Sequence, residues 1–207
     1  RWHSVTGVQT CALPIYFRAW EVARALGIQA LHGWERFVAT QPLYNLANRD
    51  VEVELLPMCR ALGVGAVTYS PLARGVLTGK YRAGQEPPAD SRAARGNPRL
   101  MQTEYREANF ALAQEFGALA RDLGCTPSQL ALAWVMANPL VTAPILGPRT
   151  MEQLRDNLGA LEVRITPEVE AAIDGLVPPG EHSGRGYQDP AFPVTGRPAP
   201  GRVMRDA

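Results

Sequence analysis

The chain has 207 residues and a mass of 22.5 kDa, with 46% hydrophobic and 20% charged residues, the balance of one soluble globular domain rather than a membrane protein. Its 21 Lys and Arg stand against 20 Asp and Glu, a formal charge of +1, so no overall field attracts nucleic acid or an anionic membrane. A small molecule is the expected partner.

At the amino end RWHSVTGVQTCALPIYF starts without Met, and Val5 to Ile15 resembles a translated sequencing adapter. Residues 1–15 are therefore expected to be an artefact that packs against nothing, with genuine protein from near Tyr16. A secretory segment is not expected, because Pro14 interrupts the apolar run, only Arg1 precedes it and no A-x-A site follows.

From Phe17 to Leu26 the period is helical, with Ala19, Val22, Ala23 and Leu26 on one stripe and Gly27 as the stop. FVATQ, residues 37–41, reads as a strand closed by Pro42. Arg49 to Leu62 reads as one helix with Val51, Leu55, Met58, Cys59 and Leu62 inward, ended by Gly63. Gly65 to Tyr69 is the next strand. SPLARGVLTGKY and AGQEPPADSRAARGNP follow, a connection of the length that usually covers a site.

A long helix is expected from Glu104 to Leu123, with Phe110, Ala113, Phe116, Leu119, Ala120 and Leu123 apolar and Gly124 as its stop. Thr126 then caps another, with Pro127 in its first turn and Gln129 completing a capping box, and Asn138 and Pro139 end it. Leu140 to Leu146 is the third strand. Thr150 caps the next helix with Gln153 at the capping-box position, and Thr166 and Pro167 start the last. After Val177 the Gly- and Pro-rich PPGEHSGRG and PVTGRPAPG read as an extended tail, 178–207, so the packed domain is expected to span 16–177. Strand, loop and helix recur three times, and the strands are nearly continuous in apolar residues, the pattern of an α/β protein with a parallel sheet. Cys11, Cys59 and Cys125 form no CxxC pair and lie far from His3, His32 and His182, so no zinc site or disulfide framework is expected.

QPLYNLANRD, VTYSPLARGVLTGKY and PILGPRTMEQLRDNLGALE resemble the sixth, seventh and eighth strand regions of the aldo-keto reductases, a family of (β/α)8 barrels. The resemblance runs from Phe17 to about Val177 and implies a partial TIM barrel, its carboxyl-terminal half, since a complete barrel takes roughly 250 residues. It implies NADPH as cofactor, an aldehyde or ketone substrate reduced to an alcohol by hydride transfer, a tyrosine as proton donor and a cytoplasmic location. The family's catalytic Asp, Tyr, Lys and His belong to the amino-terminal half, and no position here corresponds to them. Tyr44 and Lys80 belong to other motifs and are not substitutes, so this chain is expected to have no reductase activity. It is also expected to fold poorly alone, with FVATQ and LVTAPIL each facing a missing partner. Pieces of the match also suit potassium-channel beta subunits, which leaves a cofactor-binding regulatory subunit as the alternative.

The resemblance places the cofactor at the strand ends. Gln41, by residue type alone a satisfied strand-end polar group, would orient the nicotinamide carboxamide. Tyr69, otherwise core packing, would stack on the nicotinamide ring. Ser70, Pro71, Leu72, Arg74 and Lys80 match a loop that wraps the pyrophosphate with a hydroxyl, backbone donors and two cations; the cations are otherwise solvated loop charges. Arg92 would belong to a clasp over the cofactor, or else is simply a loop arginine. Gly147 would permit close approach, and the helix starting near Thr150 would present N–H groups to phosphate. Arg149 suits the adenosine 2′-phosphate, while Gln153 and Asn157, four apart, would reach the adenine edge; their other reading is a capping box plus a surface polar residue. Tyr187 and Phe192 are candidates to line a substrate pocket, and His182 is read as a tail residue rather than a ligand.

Overall fold

A computed structural model describes residues 13–184 and 189–190. Three strands, β1 (Ala39–Thr40), β2 (Gly65–Thr68) and β3 (Ala143–Pro144), form a parallel sheet in chain order. Ala39 lies opposite Gly65, and Val67 opposite Ala143. Seven α-helices occur among the described residues: α1 (Ala19–His32), α2 (Leu55–Leu62), α3 (Pro98–Gln102), α4 (Glu107–Asp122), α5 (Pro127–Ala137), α6 (Met151–Leu158) and α7 (Pro167–Leu176). Parallel strands separated by helical crossovers are the architecture of a partial (β/α)8 fold, as expected.

The strands are shorter than their apolar runs. Pro42 and Pro144 have no N–H to give a ladder, so regular pairing stops beside them. Single contacts carry on where the ladder lapses: Tyr69 N donates to the Pro42 carbonyl at 2.9 Å and Ile145 N to the Thr68 carbonyl at 2.7 Å.

Two expected element boundaries are corrected and one helix is added. α1 runs through Gly27 to His32 and stops at Gly33, whose φ of 63° is the left-handed turn that suits glycine. One glycine inside a helix costs only about 1 kcal/mol, too little to end it by itself, and Gln29 Oε1 in the added turn accepts from Phe37 N at 3.2 Å. Arg49 to Leu62 is not one helix but a 3-10 turn, Asp50–Glu52, followed by α2. Pro57 explains the break, since its ring is tolerated only within a first turn; Leu56 then faces inward and Leu62 outward. α3 was not expected, although Asn97, which accepts from Leu100 N, and Pro98 at the first position are a legible start signal.

The main core gathers Tyr44, Tyr81, Leu100, Phe116, Leu130 and Ile173 between the helices and the β2 loop. A second core packs α1 on α2 through Val22, Leu26, Leu56 and Cys59. Burial pushes the Cys59 thiol up to about 11 from 9.0. Two pH units lower the thiolate fraction about a hundredfold, so iodoacetamide at pH 8 is expected to label Cys59 about a hundredfold more slowly in the native protein than in urea. Equal rates would place Cys59 on the surface.

The expectation that nothing before Tyr16 packs is corrected at Pro14 and Ile15. The Pro14 carbonyl accepts from Gln41 N at 3.1 Å and from Thr40 Oγ1 at 2.8 Å, and Ile15 bridges to Gln41 in parallel. The outer edge of β1 offers unpaired backbone groups to whatever extended chain lies nearby. Removing residues 1–15 is thus expected to cost about 1–2 kcal/mol, at about 0.5–1.5 kcal/mol per hydrogen bond; an unchanged urea midpoint would show that water replaces Pro14 without loss.

Residues 178–184, expected as part of an extended tail, are also packed. Arg49 N donates to the Glu181 carbonyl at 2.9 Å, Ser183 is buried against Ala47, and His182 Nε2 stands 2.9 Å from Asp50 Oδ1. Tyr187 and Phe192 lie outside the described residues. Among the described residues no helix is long and apolar enough to cross a membrane, and no group of three His, Cys, Asp or Glu could hold a metal.

Candidate functional site

At the carboxyl ends of β2 and β3 the chain encloses a cavity of about 470 Å3. The segment after β2, the turn after β3, α6, the long loop and one face of α5 each form part of its wall. Tyr69, Ser70, Pro71, Leu72, Arg74, Lys80, Arg92, Gly147, Arg149, Gln153 and Asn157 all line it. Gln41 does not. The ladder continues past it to Leu43, which bridges to Tyr69, while the Gln41 backbone bridges to Ile15 on the outer side.

The segment after β2 is strained. Ser70, Ala73 and Arg74 have φ of 55°, 47° and 56°, left-handed values that cost non-glycine residues about 1–3 kcal/mol each. Hydrogen bonds hold it: the Ser70 carbonyl accepts from Asn45 Nδ2 at 3.0 Å and Ala73 N at 2.9 Å, while Gly75 N donates to the Leu72 carbonyl at 2.8 Å. Val76 and Leu77, both fully buried, anchor its far end. Right-handed Leu72 followed by left-handed Ala73 is the backbone sequence of an anion-binding nest. Gly75, at φ 93°, takes a backbone conformation that suits glycine, and a Cβ there would stand 3.1 Å from the movable Lys80 Nζ.

Four cations reach the wall, Arg74, Lys80, Arg92 and Arg149, against the single carboxylate Asp156 among the described residues. They differ in freedom. Arg74 Nε is held by Glu104 Oε2 at 3.0 Å in a largely buried pair, so it is not the loose loop charge its neighbours in sequence allow. Lys80 is exposed, with Nζ 5.2 Å from the centre of the Tyr81 ring. Arg149 NH2 stands 3.5 Å from Asp90 Oδ2, and NH1 donates to the Asp90 carbonyl at 3.3 Å. That contact ties the long loop to the turn after β3.

At the start of α6, Thr150 Oγ1 accepts from Gln153 N at 3.2 Å. Gln153 Oε1 accepts from Arg149 N at 2.7 Å rather than from the cap residue, so the capping box is displaced by one residue. Asn157 is buried in the wall, yet its side-chain amide makes no hydrogen bond to a described residue. At Gly147 an added Cβ would meet no protein atom within 4 Å, so the space before it belongs to the cavity. Tyr69 packs edge-on against Tyr16 with ring centres 5.5 Å apart, and burial, then Tyr16, pushes its phenol well above the ordinary range.

Sequence reasoning missed Asp156, Ser128 and Thr78 in the wall. Asp156 Oδ1 accepts from Thr126 Oγ1 at 3.0 Å and Gln129 Nε2 at 3.1 Å, so the capping pair of α5 also positions an acid on α6. Only the packing of α5 on α6 reveals that link. Tyr44 lies apart, lining a second cavity of about 520 Å3 with Arg49, Glu52, Trp134, Asn138 and Glu170. Its hydroxyl donates to Glu52 Oε1 at 2.6 Å and accepts from Asn138 Nδ2 at 3.1 Å, and burial raises its pKa far above that of a free phenol.

Residues 16–178 match the family model described as the aldo/keto reductase family. The chain is 36% identical over 172 residues to the "Uncharacterized oxidoreductase YrpG" of Bacillus subtilis (strain 168), covering 83% of this chain and 50% of that protein. It is 38% identical over 165 residues to the "Putative voltage-gated potassium channel subunit beta" of Schizosaccharomyces pombe, covering 77% and 47%. The chain thus spans about half the length of these curated relatives.

Proposed function

The chain belongs to the aldo/keto reductase family, and from that premise we propose that it is the NADPH-holding part of a reductase that converts aldehydes or ketones to alcohols. The observation that carries this reading is the convergence of Arg74, Lys80, Arg92 and Arg149 on one cavity with a nest-type backbone turn. A cavity of about 470 Å3 lies within the range of small-molecule sites, and its cations suit the phosphates of a dinucleotide.

The residues present fit the group. The Leu72 and Arg74 amides would receive the pyrophosphate, since those of Ala73 and Gly75 are bonded within the turn, with Lys80 offsetting its charge. Arg149 would hold the 2′-phosphate, and the unpartnered amide of Asn157 would take an adenine edge. Tyr69 supplies an aromatic face at the nicotinamide end. When bound, NADPH supplies the hydride. The long loop, tied by Asp90 to Arg149, would exclude water from the bound phosphates.

Reduction also needs a proton donor. Tyr44 is unsuited to that role, because its hydroxyl is spent on Glu52 and its proton is held tightly. Lys80 stands among the phosphate contacts. On this reading the motifs of this chain hold the cofactor and do not supply the family's Asp, Tyr, Lys and His. In a preparation shown to be folded by cooperative urea unfolding, the chain is expected to bind NADPH, seen as a change in nucleotide fluorescence on titration, but not to oxidise it in the presence of a reactive aldehyde. No binding would overturn the reading; turnover would overturn the assignment of the proton donor. The name of the fission-yeast relative favours a second reading, a cofactor-binding regulatory subunit; a longer parent chain that binds NADPH without reducing any carbonyl would support it.

A further inference from the structure

Behind the cavity a chain of polar contacts runs from the strained loop to the carboxyl-terminal segment. Arg74, in the cavity wall, is paired with Glu104, whose side chain is 7% exposed. The Thr103 hydroxyl lies against both Glu104 Oε2 and the Arg99 carbonyl. Arg99, in α3, grips Asp189 with both prongs: NH1 donates to Oδ1 at 3.2 Å and NH2 to Oδ2 at 2.8 Å. The Asp189 side chain is 12% exposed and that of Arg99 34%, a partly buried pair whose two-pronged geometry sets it apart from an ordinary surface ion pair.

Three left-handed non-glycine residues in one loop persist only where the surroundings over-determine them. The Arg74–Glu104 pair is one such restraint, and Glu104 is in turn held against the short helix that carries Arg99. Two-pronged arginine–carboxylate pairs are exacting in geometry as well as strong, so docking of Asp189 selects one placement of α3. The element at the far end of that series is the cavity wall itself.

We propose that Arg99 is a positioning residue that transmits the docking of Asp189 to the Ser70 to Gly75 loop, so that the carboxyl-terminal segment and an anionic ligand in the cavity bind cooperatively. Each favours the same loop conformation, and the coupling is reciprocal by linkage. A ligand in the cavity fastens the carboxyl-terminal segment, and release of that segment loosens the grip on the ligand. The ligand half of this statement rests on the dinucleotide reading; the coupling between Asp189 and the loop does not.

The test compares the unsubstituted chain with Asp189→Asn and Asp189→Glu by hydrogen exchange and NADP+ titration. In Asp189→Asn, amides of residues 70–79 are expected to exchange about fivefold faster, and NADP+ affinity to fall about fivefold, the lower end of allosteric coupling. NADP+ should protect amides of 178–184 in the unsubstituted chain and not in Asp189→Asn. Asp189→Glu should restore all three readouts. Unchanged exchange at 70–79 in Asp189→Asn would overturn the proposal, as would a uniform rise extending through α4 and α5, which would mark Asp189 as a general stabiliser. If the unsubstituted chain binds no NADP+, the dinucleotide reading falls, and exchange at 70–79 alone decides the coupling.

Discussion

Replacing Arg49 by Ala is expected to destabilise the fold by about 3 kcal/mol, the lower end of the range for breaking a buried ion pair. Only 4% of the Arg49 side chain is exposed. Its Nε donates to Glu52 Oε1 and Oε2 at 3.0 and 3.1 Å, and its NH1 to Asp174 Oδ1 and the Val177 carbonyl, both at 2.7 Å. The guanidinium also lies 5.1 Å from the centre of the Trp134 ring, where a cation is attracted to the aromatic face. One side chain thereby joins the turn after β1 to the end of α7.

The lower end applies because the partners are not all stranded. Glu52 keeps hydrogen bonds from Tyr44 Oη and Gly180 N, and the Asp174 side chain is 34% exposed and can recover water. The Val177 carbonyl has no such recourse, and the cavity left beneath Trp134 adds its own cost. Arg49→Lys keeps the charge but not the fork, and is expected to lose about half as much. Urea midpoints at constant m-value measure both. A loss under about 1 kcal/mol for Arg49→Ala would show the network to be a passenger.

Arg149→Ala is expected to weaken NADPH by about 10- to 150-fold and leave NADH nearly unchanged, the fold-change of about 1.5–3 kcal/mol for a hydrogen bond to a charged group. Only NADPH carries a 2′-phosphate for the guanidinium to grip. The present partner of Arg149 does not stand in the way: the pair with Asp90 spans 3.5 Å, with the two side chains 43% and 83% exposed, a geometry worth about 0–1 kcal/mol. Asp90→Asn is therefore expected to tighten NADPH by less than about fivefold. Parallel titrations with both nucleotides decide it. Equal losses for NADPH and NADH would mean that Arg149 holds the pyrophosphate or merely steadies the long loop.

Much of the site was legible in the sequence because its parts are local. YSPLARG and GPRT each carry their chemistry within a few residues, and eleven of the twelve residues named from the motifs line the cavity. The exception, Gln41, shows why a strand end cannot be read from composition: the chain stays paired to Leu43. Nor could the sequence show that Arg74 is spoken for by Glu104, or that Arg149 already touches Asp90. Those pairings join segments 30 and 59 residues apart.

By itself the sequence determined the parallel α/β order, the caps at Thr126, Thr150 and Thr166, and the identity of the loops that meet at the strand ends. Caps and turns depend on φ and ψ preferences and on hydrogen bonds that reach no further than about four residues, so they are written locally. The tertiary structure alone decided that α1 overruns Gly27, that Pro14 lies along β1, that Gln129 orients Asp156, and that Arg49 binds residues more than a hundred positions away. Each of these depends on which edges, carbonyls and charges the packing leaves facing one another. A buried donor or acceptor must find a partner wherever the fold places one.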